Sequence, residues 1–349
     1  MRPSRSTVSV FVPSYNYARF LPACVGSVLA QPGVDVRVLI IDDCSTDDTE
    51  AIARGLAADP RVEYVRHAHN LGHIATYNQG VDWADGDYTV LLSADDLLTP
   101  GALQRATALL DAHPEVGFAY GDVVRFRSEP PPARMPTAPR WRIRRGEEWL
   151  AAVCRAGRNF TVAPEVVVRT SLHKEVGGYQ PALPHSADME LWLRMAARAD
   201  VGWLEGVDQA YYRTHEHNMH QVRFGAAVDR LVHRRAAFDS FFAGPGSTLP
   251  AAAELQEAAA RALARAALAR ACQALDSGRG TVDGTPVADL AAFAGELTDV
   301  AGLPEHRGLR WRQRLGPQAC RRLRPIVSAA TLRHPRAWLR WRLLRQRPV

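Results

Sequence analysis

The stretch that decides the fold is Thr89-Val-Leu-Leu-Ser-Ala-Asp-Asp-Leu-Leu-Thr-Pro-Gly101. Its apolar start, together with Tyr88, predicts a buried strand that ends at two adjacent carboxylates, Asp95 and Asp96. Pro100 then favours the start of a helix. Carboxylates at the carboxyl end of a central strand lie where open α/β sheets bind their ligands, and such oxygen ligands suit Mg²⁺ or Mn²⁺ carrying a diphosphate. Capping of the following helix is the alternative role for the two aspartates.

Strand-like and helix-like patterns alternate on both sides of this stretch. Apolar runs at 7–12, 36–41 and 62–65 predict three further strands, each followed by a helical pattern. Strands that are apolar almost throughout are typical of a parallel sheet that is covered by helices on both faces. The sequence therefore predicts an α/β, Rossmann-like fold with a mostly parallel sheet.

The composition changes in the last third of the chain. Long helical patterns follow one another at 224–242, 251–275 and 287–300, and the second of them is very rich in alanine. We therefore predict two domains, an α/β domain over residues 1–222 and an all-α extension over residues 223–349.

The net charge of +6 is concentrated in the tail. Residues 307–349 contain 13 arginines and no acidic residue, which leaves −7 on residues 1–306 when these 13 charges are taken from +6. A nucleic-acid-binding domain would carry a basic face on its folded core, so this distribution argues against nucleic acid as a partner. The five cysteines are scattered and form no Cys-x-x-Cys pair, which favours a reducing compartment.

The chain has no apolar run as long as a signal-peptide core or as the roughly 20 residues of a membrane span. We therefore expect a cytoplasmic protein. The Arg- and Trp-rich tail suits an anionic surface, so peripheral contact with the inner membrane face through residues 307–349 is one expectation. A solvated helix packed on the extension is the other, because Arg342 and Arg345 fall on the same helical face as Trp338 and Trp341.

Common nucleotide-binding motifs are missing. The first strand leads into Pro-Ser-Tyr-Asn instead of Gly-x-Gly-x-x-Gly, and the sequence contains neither a P-loop nor a Gly-x-Ser-x-Gly elbow. Polar clusters instead follow successive strands, at 13–16, 42–47, 70–72 and 93–96. Because the carboxyl ends of parallel strands share one edge of a sheet, we expect these clusters to converge on one crevice.

Six segments together carry a family resemblance. They are Val8-Ser-Val-Phe-Val-Pro-Ser-Tyr-Asn16, Val38-Leu-Ile-Ile-Asp-Asp-Cys-Ser-Thr-Asp47, Ser93-Ala-Asp-Asp96, Gly177-Gly-Tyr179, Ala187-Asp-Met-Glu-Leu-Trp-Leu193 and Tyr212-Arg-Thr-His215. In this order they resemble the inverting family 2 glycosyltransferases of GT-A fold, which use nucleotide-diphospho-sugars. The resemblance covers about residues 6–220, and the remaining third of the chain has none.

The resemblance implies a site for the nucleobase of the donor. Pro13 and Tyr15 match positions that hold the base, Tyr15 by stacking, and Ser14 belongs to the same donor-binding motif. Asp43 matches the carboxylate that accepts a hydrogen bond from a uracil-type N–H, whereas Asp42 is expected to be structural.

The resemblance also implies that the acidic motif holds the ribose, the diphosphate and a metal. Ser93, Ala94 and Asp95 match donor-binding positions, with Asp95 reaching the ribose and the metal. Asp96 is expected to bind the metal, Mg²⁺ or Mn²⁺. The family often has Asp at the position of Ser93, so this motif has one carboxylate fewer than is usual in the family.

A cluster of histidines follows the last of the six segments. His215 matches a position that contacts the diphosphate or the metal in the family. A zinc site formed by His215, His217 and His220 is the alternative. No cysteine and no ordered ligand spacing accompanies these histidines, which disfavours a zinc site.

Glycosyl transfer also requires a base, because the acceptor hydroxyl loses its proton as it attacks the sugar. Asp188 matches the catalytic base of the family, in the first turn of a helical pattern at 187–199. Glu190 is its competitor and lies about 200° further around the helix, so the two carboxylates cannot both face the crevice. The alternative role for Asp188 is that of a favourable acid in the first turn of a helix.

The expected function is inverting transfer of a sugar from a nucleoside-diphosphate sugar, with UDP or dTDP as the nucleotide. The expected acceptor is a hydroxyl group of a glycan, a lipid-linked intermediate or a small natural product. A catalytically inactive sugar-nucleotide-binding or scaffold protein on the same fold is the rival interpretation. The joint presence of Asp95, Asp96 and Asp188 argues against the rival.

Overall fold

The protein consists of an α/β unit and a helical unit, each of them compact by itself. The computed structural model describes residues 5–135, 140–215 and 226–331. The α/β unit takes in residues 1–150 and 159–218, and the helical unit takes in residues 151–158 and 219–349.

A mixed nine-stranded sheet forms the centre of the α/β unit. Its strands are β1 (Thr7–Ser14), β2 (Asp35–Asp42), β3 (Val62–Arg66), β4 (Tyr88–Leu91), β5 (Leu97–Leu98), β6 (Val116–Phe126), β7 (Arg140–Arg144), β8 (Val166–Arg169) and β9 (Asp200–Arg213). The first four are parallel, in the order β3-β2-β1-β4. β8 pairs antiparallel with β4 and β6, β6 runs parallel to β9, and β5 and β7 both pair antiparallel with β9. The predicted α/β class with a mostly parallel sheet is confirmed.

Helices connect these strands and bring several side chains to the site. They are α1 (Leu21–Leu29), α2 (Thr49–Leu56), α3 (His73–Trp83), α4 (Ala102–Ala112), α5 (Gly146–Ala156), α6 (Thr170–Val176) and α7 (Ala187–Ala196). α3 lies close against β1, because Gly80 faces the ring of Phe11 and a Cβ atom at this position would overlap that ring. The close approach fixes α3 beside the strand that leads into the site.

The mixed half of the sheet, β5 to β9, differs from the sequence expectation. The sequence predicts two short strands, at 201–204 and 210–213, but β9 is continuous, because irregularities in its register with β6 absorb the break. β7 is an additional edge strand whose arginines alternate with Trp141 and Ile143, and Arg142 forms an ion pair with Glu205 of β9. The period-2 alternation of arginines and apolar residues is a short strand signal that the sequence prediction did not include.

The helical unit is formed by helices, as the sequence predicts, and the second of them is very rich in alanine. They are α8 (Ala227–Ala243), α9 (Ala252–Asp276), α10 (Val287–Leu297) and α11 (Pro304–Thr331), with a short hairpin of β10 (Thr281–Val282) and β11 (Thr285–Pro286). Arg312 of α11 and Asp276 of α9 form a buried ion pair, with an Nε–Oδ1 distance of 2.7 Å. Over the described residues, every helix is too short or too polar to span a bilayer. The boundary predicted at residue 222, between the α/β domain and the helical extension, lies outside the described residues and stays a prediction.

Candidate active site

The polar clusters converge because the ends of the parallel strands are joined by backbone hydrogen bonds. The amide of Asp43 donates to the carbonyl of Ser14 at 2.9 Å, and the amide of His67 donates to the carbonyl of Asp42 at 2.9 Å. On the other side of β1, the amide of Leu92 donates to the carbonyl of Phe11 at 3.1 Å. The segments that follow β1, β2, β3 and β4 therefore lie side by side at one edge of the sheet, as expected.

The side-chain carboxylate of Asp42 has hydrogen-bond donors around it, from the turn after β2 and from β3. Its Oδ1 accepts from the amide of Ser45 at 2.8 Å, and its Oδ2 accepts from the hydroxyl of Tyr64 at 3.1 Å and lies 3.2 Å from Nε of Arg66. All of these bonds hold the turn after β2, which supports the structural role expected for Asp42.

Asp43 faces the loop that precedes α3. Its Oδ1 accepts from the amide of Leu71 at 2.7 Å, and its Oδ2 accepts from the amide of Gly72 at 2.9 Å. Gly72 has a φ of +85°, a conformation that glycine adopts without strain. His67 Nδ1 lies 2.8 Å from Oδ1 of Asp43 as well. The carboxylate predicted to hold the nucleobase is thus fixed in place by the chain.

The segment after β1 presents an aromatic ring and a buried hydroxyl. Tyr15 is 45% exposed, and Pro13 is half-buried beside it. The hydroxyl of Ser14 is buried and has no hydrogen-bond partner within the described residues. Asn16 accepts from the amide of Thr46 at 2.8 Å, which ties this segment to the turn after β2. An exposed ring and an unsatisfied hydroxyl suit contact with a ligand.

The acidic pair after β4 meets the end of β9. Asp96 is only 2% exposed, and its Oδ1 accepts from the amide of Arg213 at 2.9 Å. Asp95 Oδ2 lies 3.1 Å from His215 Nε2, and Nε of Arg213 donates to the carbonyl of Asp95 at 3.0 Å. Burial, followed by the charge of Asp95, raises the pKa of Asp96 well above its usual range. The negative charge of Asp95 and the burial of Asp96 both disfavour the ionised form of Asp96.

The remaining residues of this motif act through the backbone. The side chain of Ala94 is fully buried in the core, so only its main chain can meet a ligand. The carbonyl of Ser93 accepts a hydrogen bond from the amide of Asp96 at 2.9 Å, which closes the turn.

The ring of His215 lies against Tyr17 and Phe20, with centroid distances of 5.6 and 5.3 Å. His217 and His220 lie outside the described residues.

The donor set fits a divalent metal that is completed by a ligand. No group of three or more His, Cys, Asp or Glu side chains is arranged to hold a metal within residues 5–135, 140–215 and 226–331. Asp95 and Asp96 nevertheless supply two hard oxygen ligands whose mutual repulsion a cation would relieve. Mg²⁺ is commonly bound in this way, by one or two carboxylates and by the phosphates of a substrate. The residues therefore fit Mg²⁺ or Mn²⁺ together with a diphosphate.

Asp188 and Glu190 have different surroundings on α7. Asp188 lies in the first turn, is half-buried, and its Oδ2 accepts from Nδ2 of Asn159 at 3.0 Å. Glu190 is 1% exposed and forms an ion pair with Arg194 one turn further along, with an Nε–Oε1 distance of 2.9 Å. Because the two carboxylates point to different sides of the helix, only Asp188 is left as a candidate base.

Arg194 uses its remaining N–H groups to hold the turn between α6 and α7. It donates to the carbonyl oxygens of Val176, of Gly177 at 3.2 Å and of Gly178 at 2.6 Å. The Gly-Gly-Tyr motif and Glu190 are therefore parts of one structural clamp. Glu190 supports the segment that leads to Asp188 without being free for chemistry.

Helix α3 holds the same segment from the other side, through His73, Asn78 and Tyr77; the sequence places His73 and Asn78 near the rim of the site but does not indicate these contacts. The side chain of Asn78 accepts from the amide of Tyr179 at 2.6 Å and donates to its carbonyl at 2.9 Å. His73 Nε2 lies 2.7 Å from the carbonyl of Pro184. Tyr77 packs edge-on against Tyr179, and burial, then the charges of Asp188 and Asp95, raise the pKa of Tyr77. Polar positions along one face of α3 were the only sequence signal for these contacts.

The chain is similar in sequence to known glycosyltransferases. Residues 9–172 match the model of the family described as Glycosyl transferase family 2. An uncharacterized protein of Mycobacterium tuberculosis is 28% identical over 213 residues, which cover 58% of this chain and 65% of that protein. The succinoglycan biosynthesis protein ExoO of Rhizobium meliloti is 36% identical over 105 residues, or 30% of each chain. A PGL/p-HBAD biosynthesis glycosyltransferase of Mycobacterium bovis is 34% identical over 118 residues, or 33% of this chain and 46% of the relative.

The chain thus spans between about a third and two thirds of the length of these relatives. Its fold is similar to that of residues 1–349 of TarS from S. aureus, solved in complex with UDP-GlcNAc. The TM-score is 0.63 at 16% identity, over 93% of this chain and 92% of TarS 1–349. At this level of identity the likeness concerns the fold, and it agrees with the GT-A architecture expected from the sequence.

Proposed function

We propose that the chain transfers a sugar from a UDP- or dTDP-sugar to an acceptor hydroxyl with inversion, since its residues 9–172 match the model of glycosyl transferase family 2. The observation that carries the proposal is the buried Asp95–Asp96 pair after β4, at the same edge of the sheet as Asp43, which follows β2. Burying two neighbouring carboxylates is costly in a folded protein, and perturbed carboxylates of this kind cluster at functional sites.

The donor nucleotide would lie across the ends of β2, β1 and β4. Asp43 would accept the imide N–H of the base, and the exposed ring of Tyr15 would stack on it, with Pro13 and the hydroxyl of Ser14 beside them. The main chain of Ser93 and Ala94 and the carboxylate of Asp95 would meet the ribose. Each assignment uses a group whose position and available hydrogen-bonding atoms suit that contact.

The reacting groups would lie between the acidic pair and α7. A divalent metal held by Asp95 and Asp96, with His215 beside them, would offset the negative charge that grows on the leaving diphosphate. Asp188 would take the proton from the acceptor hydroxyl while that oxygen attacks the anomeric carbon from the face opposite the diphosphate. Attack from that face inverts the configuration at the anomeric carbon.

The proposed acceptor is a sugar hydroxyl of a glycan or of a lipid-linked or small glycoside. The names of two relatives support this class, since one acts in succinoglycan biosynthesis and another in PGL/p-HBAD biosynthesis. The described part of the Pro-rich segment, residues 128–135, lies beside the acidic motif through the bond from Arg213 to the carbonyl of Ser128, at 3.2 Å. We propose that this segment borders the acceptor.

The donor assignment is tested by calorimetric titration with UDP, dTDP, GDP and CMP, with and without Mn²⁺. UDP or dTDP is expected to bind best, and Mn²⁺ is expected to tighten that binding by at least about tenfold, because two buried carboxylates otherwise repel the diphosphate. Asp96→Asn should abolish the Mn²⁺ effect, and Asp82→Asn, which changes an exposed carboxylate, should retain it. A folded protein that binds none of the four nucleotides would contradict the proposal and favour an inactive scaffold.

The tail that the sequence suggests for membrane contact, residues 307–349, begins within α11. The described part of this helix carries a basic face with two exposed apolar side chains. Arg307, Arg310 and Arg314 are exposed on this helix, next to Trp311 and Leu315, which are 45% and 36% exposed. An arginine face with an interfacial Trp suits an anionic bilayer. We therefore propose peripheral contact with the inner face of a membrane.

This contact predicts that the protein sediments with vesicles containing phosphatidylglycerol and not with vesicles of phosphatidylcholine alone. The triple variant R307Q/R310Q/R314Q should bind the anionic vesicles more weakly, by roughly fivefold for each arginine removed. Arg261→Gln, at an exposed arginine paired with Glu257 on α9, is the matched control. Equal sedimentation of the triple variant and the control would rule out this face as the membrane contact.

A further inference from the structure

His67 is a buried histidine whose two ring nitrogens both have partners at the edge of the donor site. It directly follows β3 and is only 9% exposed. Its Nδ1 lies 2.8 Å from Oδ1 of Asp43, and its Nε2 lies 2.6 Å from Oε1 of Gln79 on α3. The histidine thus bridges helix α3 and the carboxylate proposed to bind the nucleobase.

The hydrogen bonds already made by Asp43 leave little room for a ligand. An ionised carboxylate offers about four acceptor positions. Leu71 and His67 use the two positions on Oδ1, and Gly72 uses one of the two on Oδ2. One acceptor position is therefore left on Asp43, and it belongs to Oδ2.

We propose that His67 is a positioning residue that occupies Oδ1 of Asp43, so that the site accepts a base with a single imide N–H and rejects guanine. Uracil and thymine present one N–H between two carbonyl groups, and one free position on Oδ2 satisfies it. Guanine presents its N1–H and N2–H groups side by side, and both would need acceptors on the same carboxylate. This inference rests on the proposed function, because it assumes that Asp43 meets the base of the donor.

The two contacts of His67 also favour its protonated form. Nδ1 faces a carboxylate oxygen of Asp43 and Nε2 faces the side-chain oxygen of Gln79, and a protonated ring donates to both. Burial alone would lower the pKa of His67, but the hydrogen bonds to Asp43 and Gln79 and the charges of Asp43 and Asp42 outweigh it and raise that pKa. The charged form is favoured at low pH, and the arrangement weakens as the pH rises through the raised pKa.

The test compares UDP with N3-methyl-UDP, which lacks the imide N–H, as ligands of the full chain in calorimetry. His67→Leu removes both contacts and is expected to weaken UDP binding by about tenfold, while N3-methyl-UDP binding stays within twofold of the wild type. His67→Asn keeps a donor near the position of Nδ1 and should recover most of the UDP affinity. His69→Leu, at an exposed histidine two residues away, is the matched control and should change neither ligand.

A pH series on the wild-type protein provides a second readout that does not depend on the stability of a variant. The affinity for UDP should fall as the pH rises through the titration of His67, and His67→Asn should lack this step. Equal losses for UDP and N3-methyl-UDP in His67→Leu would mean a general distortion and would overturn the proposal. Tighter wild-type binding of GDP than of UDP would overturn it too, and failure to bind any nucleotide would refute the proposed function itself.

Discussion

Asp188→Asn is expected to lower the turnover number for sugar transfer by roughly 10²–10⁴-fold and to leave nucleotide affinity unchanged. The amide cannot take a proton from the acceptor hydroxyl, which is the step assigned to Asp188. The substitution is nearly isosteric, and its amide oxygen can still accept the hydrogen bond that Asn159 donates to this position. The measurement is the transfer rate at saturating donor, together with the dissociation constant of the nucleotide by calorimetry.

Glu175→Gln provides the control for this experiment, because Glu175 is an exposed carboxylate on α6, away from the first turn of α7. Its turnover should equal that of the wild type. If Asp188→Asn kept more than about a tenth of the wild-type turnover, Asp188 would not be the base. A parallel loss of nucleotide affinity would indicate that the substitution disturbs the donor side as well.

Glu190→Gln, only two residues further along the same helix, is expected to act on stability instead of catalysis. Arg194 would stay buried without its counter-ion, and breaking a buried ion pair in this way costs about 3–5 kcal/mol. The free energy of unfolding in urea measures the loss, and Asp188→Asn serves as the reference on the same helix, with an expected change below about 1 kcal/mol. A Glu190→Gln protein as stable as the wild type would show that Arg194 is held by the backbone carbonyls alone.

The parallel half of the fold follows from local patterns in the sequence. Apolar runs followed by polar clusters predict β1 to β4 and the convergence of their ends, because that convergence is a property of every parallel sheet. The geometry of a helix also shows that Asp188 and Glu190 cannot share a face. It does not show which of them is buried, since Arg194 has to be seen against the carbonyls of Gly177 and Gly178.

The supporting contacts of the site could not be predicted, because they join residues that are far apart in the chain. Asn159 reaches Asp188 across 29 residues, and Asn78 reaches Tyr179 across 101. Neither asparagine belongs to a motif, and a polar residue on a helix or in a loop is usually solvated. His67 follows a predicted strand, so its position at the sheet edge could be inferred, but its contact with Asp43 depends on the turn after β2.

The walls of the crevice proposed to bind the donor are joined by main-chain atoms of Phe11, Ser14, Asp42, Asp43, His67 and Leu92. Such bonds do not depend on which side chains the chain carries, so mutations can accumulate along the rim while the spacing of the walls is preserved. This chain and TarS 1–349 can therefore have similar folds although their sequences are only 16% identical. Evolution can accordingly exchange the side chains that read the base or the acceptor one at a time, and a new specificity does not require a new fold.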